Sequence, residues 1–292
     1  MKYISTHLCA LLILTGFCSA SSAMQKDVVE DLTVSLAETS LTPVSTRTEE
    51  EQVKLNNDLY TACKGADPVV EGQPRVVDLS RVTELLDQGA DINTRGIGFN
   101  TPLHVACSSG FENLVDVLLG YNNIRIDAQN DKRFSALYMA SGNGFEGIVR
   151  KLLGKGANPE LQDVNGISAL HSAVQFNRLG TATLLIDAGA IVDSPNNEGV
   201  RPIHTALHAE PLNLDLDQLL LSNKSDLSKP DDTSVTPLNI IFTSKNIDLH
   251  LLIINADVNE DVRRAFEPFL LYAMFCVNKD IRISQALLAY CA

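Results

Sequence analysis

Thr101-Pro102-Leu103-His104-Val105-Ala106 decides the fold, because it recurs. The pattern returns as Ser135-Ala136-Leu137-Tyr138-Met139-Ala140, Ser168-Ala169-Leu170-His171-Ser172-Ala173, Arg201-Pro202-Ile203-His204-Thr205-Ala206 and Thr236-Pro237-Leu238-Asn239-Ile240-Ile241. The steps are 34, 33, 33 and 35 residues. A degenerate copy starts at Glu267, and Leu59-Tyr60-Thr61-Ala62 precedes them all. A fixed period of this length marks stacked units, none of which can bury its apolar face alone.

A second motif follows the first in each unit. It reads Leu85-Leu86-Asp87-Gln88-Gly89-Ala90-Asp91-Ile92-Asn93, Leu152-Leu153-Gly154-Lys155-Gly156-Ala157-Asn158 and Leu185-Ile186-Asp187-Ala188-Gly189-Ala190, with a weaker copy at Ile253–Asn259. Pro in the second position starts a helix where its missing N–H costs nothing. The hydroxyl of Thr101, Ser168 or Thr236 can cap that helix. Leu and Ala on one face meet the Leu pair of a second helix. Gly89, Gly156 and Gly189 stand where that helix must stop in the left-handed conformation. Turn residues follow, as in Asp163-Val164-Asn165-Gly166 and Asn196-Asn197-Glu198-Gly199.

These motifs, in register over residues 55–292, resemble the ankyrin repeat family. The resemblance implies an all-α solenoid of helix-turn-helix units with protruding turn fingers. It also implies a non-enzymatic module that binds a partner protein through the concave face and finger tips. In this register the tips are Ile97, Asp131, Lys132, Val164, Asn165, Asn197, Glu198, Asp232 and Thr233. The exposed first-helix positions are Ser108, Ser109, Asn143, Gln175, Phe176, His208, Thr243 and Ser244. Phe176 stands out, since aromatic side chains dominate binding energy. Phe134, Ile167, Val200 and Val235 precede the helix signatures. They read either as an exposed apolar row or as residues packed between fingers.

Departures from the pattern carry expectations of their own. Ala62 to Gly89 spans 27 residues against 16 from Ala140 to Gly156, which puts an insertion of 11 within Gly65 to Val77, read as a surface loop. The second finger, Asn130-Asp131-Lys132-Arg133-Phe134, lacks the turn Gly and is expected to bend differently. The fifth unit has Glu210-Pro211 between its helices. Asn255 replaces Gly in the sixth, and residues 269–290 read as a closing helix pair.

The chain begins with Lys2, an apolar run from Leu8 to Cys18 and small residues ending at Ala23, the form of a secretory signal cut after Ala23. Residues 24–54 are rich in Ser, Thr and Glu and read as a flexible tether, with a helix able to begin at Glu49. Loss of Lys2 with the signal takes the net charge from −13 to −14. So acidic a chain repels phosphate backbones, which argues against nucleic acid, and no later run is long enough to span a membrane. The protein is therefore expected in the periplasm or outside the cell, bound to an unidentified protein partner that could belong to a host.

No cofactor, metal or catalytic residue is assigned. His104, His171 and His204 share the repeat position with Tyr138 and Asn239, so each reads as a structural partner of the residue three before it or of the neighbouring turn. His104 with Cys63 and Cys107 lacks a fourth zinc ligand. Cys63 and Cys107 sit one unit apart, too far for a disulfide, and Cys276 and Cys291 are expected free as well. Asp215 with Asp217, and Asp231 with Asp232, read as solvated acids in a linker and a turn rather than paired catalytic carboxylates. Beside the partner-binding module stand two alternatives: a protective or structural protein for an endogenous periplasmic enzyme, and an enzyme with an unrecognised site.

Overall fold

The computed structural model describes residues 47–65, 76–209, 211–244 and Leu249. The expectations for the signal, the tether up to residue 46, the sixth unit, the closing helices and Cys276 and Cys291 lie outside the described residues. Most of the inserted loop does too, but its ends are close. A Cβ on Gly65 would stand 3.0 Å from the Val76 carbonyl oxygen.

Helices follow one another in pairs: α1 (Glu49–Lys64) and α2 (Leu79–Asp87), α3 (Pro102–Ser109) and α4 (Glu112–Leu119), α5 (Ala136–Asn143) and α6 (Glu146–Gly154), α7 (Ala169–Gln175) and α8 (Leu179–Asp187), α9 (Pro202–Leu207) and α10 (Leu214–Ser222), then α11 (Pro237–Thr243). No strand occurs among the described residues. First helices α3, α5, α7, α9 and α11 pack side by side in one layer, and second helices α2, α4, α6, α8 and α10 in another. This is the all-α ankyrin solenoid. Helix α1 begins six residues before the tether boundary drawn from the sequence, and Leu55, Leu59 and Cys63 bury its inner stripe. Leu114, Val115 and Leu118 of α4 and Ile148, Val149 and Leu152 of α6 do the same in the second layer.

The caps stand where the motif puts them. Thr101 Oγ1, Ser135 Oγ, Ser168 Oγ and Thr236 Oγ1 each accept the N–H three residues on. Each histidine ties its own turn to the next unit. His104 Nδ1 accepts the Thr101 N–H at 3.2 Å and lies 2.8 Å from Thr101 Oγ1. The ring proton therefore sits on Nε2, which donates to the Phe134 carbonyl at 2.9 Å. His171 reaches Val200 and His204 reaches Val235, both at 3.2 Å. Burial, the largest influence, lowers the pKa of all three rings and keeps them neutral. A further series joins the units behind the fingers: Asn56, Asn93, Asp127, Glu160 and Asp193 accept the backbone N–H of residues 91, 125, 158, 191 and 226.

The reading of Asp217 as a solvated linker acid is corrected. It lies inside α10 with 0% exposure, and neither carboxylate oxygen has a hydrogen-bond partner. Burial raises its pKa to about 7. Val115, Val149 and Ala182 occupy the same place in α4, α6 and α8. Asp215, two residues earlier, is exposed as expected.

Candidate functional site

Each finger is shaped by one side chain and one backbone conformation. Asn130, Asp163, Asn196 and Asp231 each accept, through Oδ1, the N–H groups two and four residues on. The third residue after each is left-handed: Arg133 (φ +60°), Gly166 (+79°), Gly199 (+71°) and Ser234 (+68°). The expected difference in the second finger is therefore absent. Arg133 takes the glycine conformation, and its N–H still bonds the Asn130 carbonyl at 3.0 Å. The first finger is built otherwise. Gly96 replaces the Asn or Asp, and any side chain there would collide with the ring of Tyr60. Phe99 takes the left-handed position at φ +55°.

Tip joins tip through the backbone. The Asp131 N–H donates to Gly98, Val164 to Lys132, Asn197 to Asn165 and Asp232 to Glu198, at 3.0–3.2 Å. The predicted tip residues Ile97, Asp131, Lys132, Val164, Asn165, Asn197, Glu198 and Asp232 thus form one continuous edge, and all are exposed. Its apolar members are Ile97 (78% exposed) and Val164 (50%), with Phe99 (55%), which the sequence reading missed. Phe99 could have been found by aligning Gly166 and Gly199 back along the repeat.

Phe176 and His208 lie apart from this edge. They end α7 and α9, whereas the fingers lead into the starts of those helices. Seven helical residues separate the two places by roughly 10 Å. Phe176 is 54% exposed, and its ring rests on the preceding unit, where a Cβ on Gly142 would come within 3.2 Å. Phe134, Ile167, Val200 and Val235 are half-buried, so they do not form an exposed apolar row. The Phe134, Val200 and Val235 carbonyls serve the histidines of the preceding units, and the Phe134 ring stacks on Tyr138 at 4.5 Å.

The polar groups that invite catalytic readings have other occupations. Both nitrogens of His104 are engaged, which leaves no lone pair for a metal. Cys63 and Cys107 are buried free thiols. Burial pushes Cys63 up to about 12 and raises Cys107 too, so neither is a thiolate at neutral pH. The Thr233 hydroxyl donates to Asp231, and its hydrogen bonds hold the Asp231 carboxyl below its usual range. Among the described residues, no three His, Cys, Asp or Glu side chains are grouped to hold a metal ion.

A model of the family described as ankyrin repeats (3 copies) matches residues 76–163 and 137–231, together more than half of the chain. Neurogenic locus notch homolog protein 1 of Danio rerio is 31% identical over 119 residues, which cover 41% of this chain and 5% of that protein. Nuclear factor NF-kappa-B p105 subunit of Gallus gallus is 29% identical over 158 residues, 53% of this chain and 16% of its own length. Tyrosine-protein kinase HTK16 of Hydra vulgaris is 30% identical over 168 residues, 56% of this chain and 22% of its own. The chain thus spans at most about a fifth of the length of these relatives.

Proposed function

The chain belongs to the ankyrin repeat family, and on that premise we propose that it is an exported, non-enzymatic module that holds a partner protein along its finger tips and the exposed ends of its first helices. Ankyrin repeats are generally protein–protein interaction modules. The observation that carries the reading is the tip edge. Its backbone is fixed by hydrogen bonds from finger to finger, yet its side chains, including the large apolar Ile97, Phe99 and Val164, are left facing solvent. A rigid edge gives up little conformational entropy when it binds. Export is supported by Lys2, the run from Leu8 to Cys18 and the small residues through Ala23. Among the described residues, no helix is long and apolar enough to cross a membrane.

The test starts from mature protein recovered from the exported fraction, whose N-terminal sequence is expected to begin at Met24. A partner captured with it is then titrated against the wild type and against Phe176→Ala with Val164→Ser. Both side chains are half-exposed, so the double variant is expected to bind at least tenfold more weakly with little change in Tm. Unchanged affinity overturns the assignment of the binding face, and a chain that begins at Met1 overturns export.

A further inference from the structure

The left-handed position of a finger is a place for glycine, and Gly166 and Gly199 fill it in two fingers. In the first finger it holds Phe99, at φ +55° and 55% exposed. A bulky residue at positive φ is strained, and such strain collects at functional sites. The turn does not need the ring, since its hydrogen bond, Phe99 N–H to the Gly96 carbonyl, is a backbone one. Nor does burial explain it. Two residues earlier Ile97 is 78% exposed, so two large apolar side chains stand together in solvent.

A second, independent feature lies around them. The Arg95 guanidinium sits 5.7 Å from the centre of the Phe99 ring. Lys132 and Arg133 are brought alongside by the bond from the Asp131 N–H to the Gly98 carbonyl and by Asn130 Nδ2 to Asn100 Oδ1. Among the described residues, none of these three cations has a carboxylate within ion-pair distance, although the chain carries a net charge of −13. Asp131 is the single acid in these two tips. The nearest acid of the later fingers, Asp163, is buried with its Oδ1 committed to the Asn165 and Ile167 N–H groups, while Glu198, Asp231 and Asp232 lie two to three units beyond the second finger, roughly 20–30 Å at helix-packing spacing. That exceeds the Debye length of about 8 Å at physiological salt, so they do not cancel the local positive field.

We infer that Arg95, Ile97 and Phe99 of the first finger, with Lys132 and Arg133 of the second, form a docking surface for an extended acidic segment of a partner protein, one in which a large apolar side chain is flanked by carboxylates. The apolar side chain covers Ile97 and Phe99 while the carboxylates pair with the cations around them. This rests on the protein-binding reading and narrows it to one end of the edge and one partner chemistry.

The probe is a displayed library of random twelve-residue peptides selected against the full chain. Selected peptides are expected to be enriched in Asp and Glu around Leu, Ile, Phe or Trp. They are expected to bind Phe99→Gly at least tenfold more weakly, and Arg95→Ser with Lys132→Ser likewise. Phe99→Gly relieves a left-handed side chain, so its Tm should hold or rise, which separates lost binding from unfolding. Selected peptides that are not acidic, or that bind Phe99→Gly as well as the wild type, overturn the inference. So does equal competition by a twelve-nucleotide oligothymidylate, which would mark a polyanion patch. If the selected peptides lose affinity only for Phe176→Ala with Val164→Ser, this inference falls and the broader reading stands. If no peptide is selected, both lose support.

Discussion

The unit that opens at Ser168 and its neighbour that opens at Arg201 share one pattern but are stabilised by different means. In the first, a hydroxyl caps the helix, Ala182 fills the core position of the second helix, and glycines take the left-handed places at residues 189 and 199. In the second, Arg201 has no acceptor to offer the helix. Its guanidinium instead reaches the Gly199 and Pro230 carbonyls at 3.2 and 3.3 Å and lies 3.2 Å from Asp193. Asp217 stands in the core, and Lys224 and Ser234 hold the left-handed places. A repeat stack draws stability from its interfaces as well as from each unit. A unit whose own residues disfavour its fold can therefore persist between neighbours, and it should be the first to open.

Asp217 offers the largest test of that contrast. The folded chain holds this carboxyl near pH 7 against an ordinary value of 3.8. Between about pH 4 and pH 7 the folded state therefore binds a proton that the unfolded chain has released, so stability falls as pH rises through that window. At roughly 1.4 kcal/mol per pKa unit, the loss approaches 4 kcal/mol by neutral pH. Asp217→Val places at this site the residue found at 115 and 149. It is expected to raise the unfolding free energy by about 2–4 kcal/mol at pH 7.5 and little at pH 4. Urea unfolding across that range checks it. A variant no more stable than the parent at pH 7.5 would show that the fifth unit is not weak for this reason.

The histidines give the next largest effect, with the opposite sign. Their folded pKa values are lowered, chiefly by burial, so below about pH 6.5 the unfolded chain binds protons that the folded chain refuses. Their stability is complete above that value and is lost as pH falls through it. In the Asp217→Val background this acid slope is no longer masked by the opposite one of Asp217. His171→Ala should make it shallower and lower stability at pH 7.5 by about 1–3 kcal/mol, since the Ser168 turn and the Val200 carbonyl both lose a partner. An unchanged slope would mean that the ring is not the link between these two units.

What could be read from the sequence and what could not have separate physical reasons. Cap, Pro, Leu, Ala and Gly positions follow from helix geometry at a fixed period. The tip edge was therefore legible once the register was known, Val164 and Glu198 included. Asp217 was not, because the connection between α9 and α10, residues 208–213, is longer than in the three pairs before it and hides the phase of the second helix. Phe134, Val200 and Val235 could be read either as exposed or as packed between fingers; they are half-buried, and a histidine one unit back claims their carbonyls. Arg133 looked like a defect because it is not Gly. Its finger is held by Asn130, and that side chain imposes the bend whatever residue follows at the left-handed position.

The smallest effect separates local strain from weakness of a whole unit. Arg133 and Ser234 hold the same left-handed conformation, one in the well-capped part of the stack and one at the end of the weak unit. A side chain there costs roughly 1–2 kcal/mol. Glycine removes that cost but gives about 0.5–1 kcal/mol back through the entropy of the unfolded chain. Arg133→Gly and Ser234→Gly are each expected to stabilise by about 0.5 kcal/mol, read from paired urea titrations. The backbone bonds of both turns, to the Asn130 and Asp231 carbonyls, do not involve the replaced side chains and should persist. Equal gains would mean that the strain is a property of the turn alone. A larger gain at Ser234 would mean that the fifth unit opens on its own before the rest, because a probe of partial unfolding reports only the strain within the part that opens. A loss at both positions would show that the left-handed residues are held by contacts of their side chains, contrary to the backbone account of the fingers.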